Sequence, residues 1–159
     1  MSDASTAKGV VHSLLIGHPK MGGSWHGPSV KTLLEGITAE QAAAHPVSGV
    51  RSIWEYLLHI LVWQDEVRKM AALRRYTPPE QVESWPDVTD TSDAAWLQTL
   101  DRFHASCDAL VEVLQALTDE DLSRPVEGAP FPLKVAVHGV AHHSLYHAAQ
   151  IAVLRKAIG

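Results

Sequence analysis

The stretch His138-Gly139-Val140-Ala141-His142-His143-Ser144-Leu145-Tyr146-His147-Ala148-Ala149-Gln150-Ile151 decides how this chain reads. It holds two histidine pairs four residues apart, His138/His142 and His143/His147, in a segment free of proline from Leu133 to Ile158. Residues four apart lie on one helix face, one turn from each other. That spacing lets two imidazoles reach one ion. The two pairs cannot share an ion, because each residue advances about 100° around the helix axis. Leu133, Ala136, Val140, Ile151, Leu154 and Ile158 fall on the side of His143 and His147, while His138 and His142 point away with Leu145, Ala149 and Ala152. Two neutral imidazoles in an apolar stripe each need a donor and an acceptor. A metal ion satisfies both rings at once; bonds to backbone or water are the plainer alternative.

A pair is an incomplete site, so a third ligand must come from another helix. Ser52-x-x-Glu55 reads as a capping box opening a helix that runs to about Tyr76, where Pro78-Pro79 ends it. Its apolar stripe is Ile53, Tyr56, Ile60, Trp63, Val67 and Ala71, with His59 at the margin. His59 is either the third ligand or a boundary histidine partly in solvent. Glu66 lies on the same side, as a candidate base near the ion or as a solvated carboxylate, whereas Glu55 has a local role as the capping acid.

Working outward, a third long helix spans about Asp93 to Leu117, with Trp96, Leu97, Leu100, Phe103, Cys107, Leu110, Val111 and Leu114 as its apolar stripe. His104 lies on that stripe as a fourth ligand, a pocket wall or a plain core residue, the last two being favoured, and Cys107 reads as a small buried hydrophobe. A first helix runs from about Ala4 to Ile16 and is stopped by Gly17-His18-Pro19. A short helix carries Val30, Leu33 and Leu34, and Thr38-x-x-Gln41 and Thr118-x-x-Asp121 cap further short turns. Pro132 suits the first turn of the last helix, which ends near Ile158. No segment alternates as a strand would. Four amphipathic helices predict an all-α four-helix bundle in a single domain, residues 1–159. The connection over residues 77–91 is long enough to cross the bundle.

The 159 residues suffice for one hydrophobic core, and 46% apolar with 19% charged is ordinary for a folded soluble chain. A net charge of −5 argues against nucleic acid and against an anionic membrane surface. No apolar run is long enough to span a bilayer. Met1 to Lys8 does not look like a signal peptide, and the single Cys107 cannot form an internal disulfide, so a reducing cytoplasm is the expectation. Ten histidines are the unusual feature of the composition.

Four stretches together make the chain resemble the DinB-like family of bacterial metal-binding four-helix bundles. They are Trp25-His26-Gly27-Pro28-Ser29; His45-Pro46 through Ser52-Ile53-Trp54-Glu55 to Leu58-His59-Ile60; the Trp96 to Leu114 helix; and the histidine segment quoted above. The resemblance implies an up-down-down-up bundle, frequently a homodimer, that holds zinc or nickel. One histidine of the second long helix and an H-x-x-x-H pair of the last helix would form the metal triad, here His59, His143 and His147. Ser144 stands where the family often has Asp, and Ala149 where it often has Gly. Some members are thiol-dependent transferases or isomerases, which would add a low-molecular-weight thiol as cofactor.

Three histidines without a carboxylate or thiolate leave the ion an open position, the layout of a catalytic zinc site. The expectation is a metal-dependent thiol S-transferase acting on a small molecule. A metal-dependent hydrolase, with Glu66 handling the proton, and a non-catalytic metal-binding or stress-related protein are the alternatives. Trp25, His26 and Trp63 are expected to wall the pocket, with His104 beside them.

Overall fold

Serine and threonine side chains start most of the helices. In a computed structural model, residues 9, 11, 12, 15–17 and 27–159 are described. The helices with bounds are α1 (Val30–Leu34), α2 (Ala39–Ala43), α3 (Ile53–Leu73), α4 (Asp93–Gln115), α5 (Asp119–Ser123) and α6 (Leu133–Ala157). Ser29, Thr38, Ser52, Ser92 and Thr118 cap the first five, each accepting a hydrogen bond from a backbone N–H in the first turn. Gln41, Glu55 and Asp121 complete full capping boxes. Pro132 is the N-cap of α6 rather than a residue of its first turn. Among the described residues the chain forms helices and no strand, apart from one 3-10 turn (Pro79–Gln81) and isolated bridge residues such as Arg75 with Glu127 and Pro125 with Pro132.

The long helix α3 lies against both α4 and α6; α1 and α5 pack on α6, and α2 packs on α3 and α4. The core between them is built on Ile53, Leu57, Ile60, Phe103, Leu110, Leu133 and Ile151, all essentially without solvent exposure. Val11 and Leu15 join it; of the expected first helix, Gly9, Val11, His12 and Leu15 are helical, Ile16 is in the turn that follows, and the other residues are outside the described ones. Buried indoles donate to nearby oxygens, Trp54 Nε1 to Thr99 Oγ1 at 3.1 Å and Trp96 Nε1 to the Ile37 carbonyl at 2.8 Å. Arg155 of α6 reaches the α1 carbonyls of Thr32 and Leu33, satisfying acceptors that a helix end leaves open.

α3 stops at Leu73, three residues before the expected Tyr76. Arg74 turns into the left-handed region (φ 57°) and its guanidinium binds the carboxylate and carbonyl of Asp121. Tyr76 then pairs backbone to backbone with Glu127 instead of continuing the helix. Among the described residues, no helix is long and apolar enough to cross a membrane.

The expected inward position of His104 is corrected. The buried face of α4 runs through Trp96, Thr99, Phe103, Cys107, Leu110 and Leu114. His104 is one step past Phe103, about 100° around the axis, and is exposed. Leu97, at 60% exposure, leaves the stripe for the same reason. Cys107 is buried, and burial first of all pushes its thiol up to about 12.

Candidate metal centre

His59 of α3 and His143 and His147 of α6 form a cluster whose ligand atoms all lie within 4.8 Å of one another. The Nε2 atoms converge, with 3.0 Å from His59 to His143 and 3.2 Å from His143 to His147. Two metal–nitrogen bonds of about 2.0–2.1 Å place their nitrogens roughly 2.8–3.4 Å apart at octahedral or tetrahedral angles. These two separations fit that range, and the ligand atoms of His59 and His147 lie within 4.8 Å of each other.

The tautomers agree with a cation. His59 Nδ1–H donates to the Ser84 carbonyl, and His147 Nδ1–H donates to Gln150 Oε1 at 2.6 Å. A carbonyl oxygen can only accept, so each of these rings presents an unprotonated Nε2 toward the cluster. His143 Nε2 faces both lone pairs, and its Nδ1 is buried with no hydrogen-bond partner. One shared proton cannot serve three converging nitrogens well, whereas one cation can. Outer bonds of this kind orient histidine ligands and raise their basicity.

Burial lowers the pKa of all three imidazoles, most for His143, which is pushed down to about 3, with His147 and His59 opposing its charge as well. The rings are therefore neutral near pH 7, the state that binds metal. His59 is 6% exposed and His147 5%, which corrects the alternative of a half-solvated His59. His143 is half-buried at the margin of the α6 core face, which centres on Val140, Ser144 and Ile151. His138 and His142 are outside the cluster, half-buried and exposed respectively.

Trp85 stacks on His59 with ring centroids 3.7 Å apart and planes 6° from parallel. Its other contacts are edge-on to Tyr56 at 5.8 Å and to His147 at 6.0 Å. The Arg51 guanidinium lies 4.6 Å from the Trp85 ring centre and binds Glu55 at 2.8 Å. His45 Nε2 is 2.7 Å from the same carboxylate. Burial would raise the Glu55 pKa, but bonds from the Ser52 N–H, Arg51 and His45 outweigh it and hold it at about 2.

A cavity of about 300 Å³ lies beside the cluster, between α3, the Tyr76–Pro79 segment, Phe131 and α6. His143, Trp63 and Glu66 all line it. The Glu66 carboxylate is bound by Lys69 at 2.7 Å. Trp63 meets the sequence expectation of a pocket wall, with its ring 6.1 Å from that of His143. His104 does not; it lines a separate small pocket with Ile16, Lys31 and Cys107. Trp25 and His26 lie outside the described residues.

Sequence reasoning missed Ser84, Trp85, Arg51 and Gln150. Gln150 was findable, three residues beyond a candidate ligand on the same helix. Trp85 had a weaker signal, a large aromatic in a polar connection that otherwise has little reason to hold one.

A family model described as the DinB superfamily matches residues 26–151. No curated protein matches the chain significantly, and neither does any solved structure.

Proposed function

The chain belongs to the DinB superfamily, and on that membership and the three convergent histidines we propose that it is a metal-dependent enzyme of the thiol S-transferase type, with a divalent ion held by His59, His143 and His147. The observation that carries this reading is the meeting of three Nε2 atoms, two of them held unprotonated by outer hydrogen bonds. Zinc or nickel suits three imidazoles. Such an ion supplies Lewis acidity, lowering the pKa of a thiol or of water.

The chain's own residues prepare that chemistry. Ser84 and Gln150 aim the rings of His59 and His147. Trp85 limits rotation of His59, and Trp63 shields the His143 side. Burial keeps all three rings neutral. In the transfer, the thiol sulfur bonds to an electrophilic carbon, the leaving group departs with its electron pair, and the thiol proton goes to solvent. A hydrolase is the second reading, favoured by the carboxylate of Glu66, which lines the same cavity as His143. Its ion pair with Lys69 weighs against it as a free base. The reading extends to an up-down-down-up four-helix order, a homodimer, a cytoplasmic setting, and a small-molecule substrate rather than nucleic acid or membrane.

Elemental mass spectrometry of wild type, His59→Ala and His143→Ala tests the site. About one equivalent of zinc or nickel in wild type, lost in both variants, is the expected result. Conjugation of a low-molecular-weight thiol to an alkyl or aryl electrophile then tests the reaction. A wild type that takes up neither metal refutes the site and the enzyme with it.

A further inference from the structure

The cavity beside His143 has walls of one chemical character. Trp63, Val67, Met70, Tyr76, Phe131 and Val140 supply most of its surface. Among the described lining residues Glu66 is the one carboxylate, bound by Lys69, and none is an arginine or lysine. The far end is built rather than accidental. Tyr76 and Phe131 pack edge to face at 5.5 Å, and Tyr76 is fixed by backbone pairing with Glu127. That pairing follows from the stop of α3 at Leu73 and the left-handed Arg74. Gly139 leaves one side of the cavity open, since a Cβ added there meets nothing within 4 Å.

A volume of about 300 Å³ is at the small end of ligand pockets. It suits one substituted ring or a short alkyl chain. In the metal-free protein an anionic body buried there would lose its hydration with no counter-charge in the described walls, a cost that weakens its binding. The low-molecular-weight thiols of cells carry peptide- or sugar-like bodies rich in charge and hydroxyls, and these gain nothing from such walls. We propose that this cavity binds an uncharged, apolar small molecule of monocyclic size, which is the electrophilic acceptor in the reaction proposed above. The polar body of the thiol then stays outside it. The assignment as acceptor rests on the metal-enzyme reading; the binding preference rests on the cavity alone.

The test is calorimetric titration at pH 7 with 4-ethylphenol and its anionic counterpart 4-ethylbenzenesulfonate, on zinc-loaded and metal-free protein. Gly139→Leu and Ala136→Phe both add bulk at the cavity wall. Gly139→Leu also removes a mid-helix glycine, so its unfolding temperature should not fall below that of wild type. The expected result is one-to-one binding of 4-ethylphenol with or without metal, and at least tenfold weaker binding of the sulfonate to metal-free protein. Both variants lose at least tenfold in 4-ethylphenol affinity while zinc content stays at the wild-type level. Equal affinity for the two probes, absence of 4-ethylphenol binding, or unchanged binding in the two filled variants overturns the proposal. If wild type takes no zinc yet binds 4-ethylphenol in this pattern, the cavity preference stands and the metal-enzyme reading alone falls.

Discussion

Trp85→Ala tests whether the connection between α3 and α4 is part of the metal site. The wild-type ring lies flat on His59, 3.7 Å between centroids, while the Ser84 carbonyl accepts from Nδ1 of the same imidazole. Two adjacent loop residues therefore hold one ligand by its face and its edge. Removing the indole deletes the stack on His59 and the edge contacts with Tyr56 and His147. Each aromatic contact contributes about 0.5–1.5 kcal/mol. The Arg51 contact at 4.6 Å adds about 0.5–1 kcal/mol at a site of this exposure. Most of that sum acts on the seating of the loop. The share that reaches the metal is the lost orientation of His59, and outer supports of this kind cost about 10–100-fold in metal affinity when removed. We expect Trp85→Ala to weaken zinc binding at least tenfold in competition with a chromophoric chelator at pH 7.5, with helical circular dichroism retained. Trp85→Phe, which keeps a stackable ring, should recover most of that loss. Wild-type affinity in a folded Trp85→Ala protein would refute the idea that this loop positions His59.

Among the α6 histidines, His143→Ala should abolish metal uptake, whereas His138→Ala and His142→Ala should leave it within about twofold of wild type, as measured by elemental analysis; equal loss from all would contradict the cluster geometry. Metal-free protein should lose stability on acidification. The three buried imidazoles have folded-state pKa values below the ordinary 6.5, with His143 at about 3. The unfolded chain therefore binds protons first, and denaturant midpoints should fall as pH drops below 6.5. Glu55 acts in the same direction at lower pH, since its stabilising contribution is complete above 4.5 and is lost as pH falls through about 2. A midpoint that does not change between pH 7 and 5 contradicts the burial of the three rings as neutral groups. Ser52→Ala removes the acceptor of the α3 capping box and should cost about 1 kcal/mol in urea unfolding; no measurable loss would mean that the cap is replaced by water.

Sequence periodicity set out the α3, α4 and α6 segments and the pairing of His143 with His147. Those features depend on neighbours along one helix, and residues four apart share a face whatever the rest of the chain does. Capping boxes at Ser52, Thr38 and Thr118 were legible for the same reason, as short local exchanges of hydrogen bonds. The family resemblance pointed to His59, which periodicity alone left at the margin of its stripe.

What only the tertiary structure decided lies where distant segments meet. Ser84 and Trp85 reach His59 across 25 and 26 positions of chain, and no period along the sequence encodes that meeting. The end of α3 was set by Asp121 and Glu127, which bind Arg74 and Tyr76 from the far side of α4 in the chain. His104 left the core because the buried face of α4 keeps Trp96, Phe103, Cys107, Leu110 and Leu114 but extends toward Thr99 and Ser106 rather than toward Leu97 and His104, and a helix wheel cannot choose between the two margins of a stripe without the partner helices. The cavity beside His143 likewise exists only where α3, α6 and the Tyr76 and Phe131 side chains enclose a space. Local hydrogen bonding and periodicity are written residue by residue, but the enclosure of a volume and the orientation of a ring depend on which surfaces the packed helices bring together.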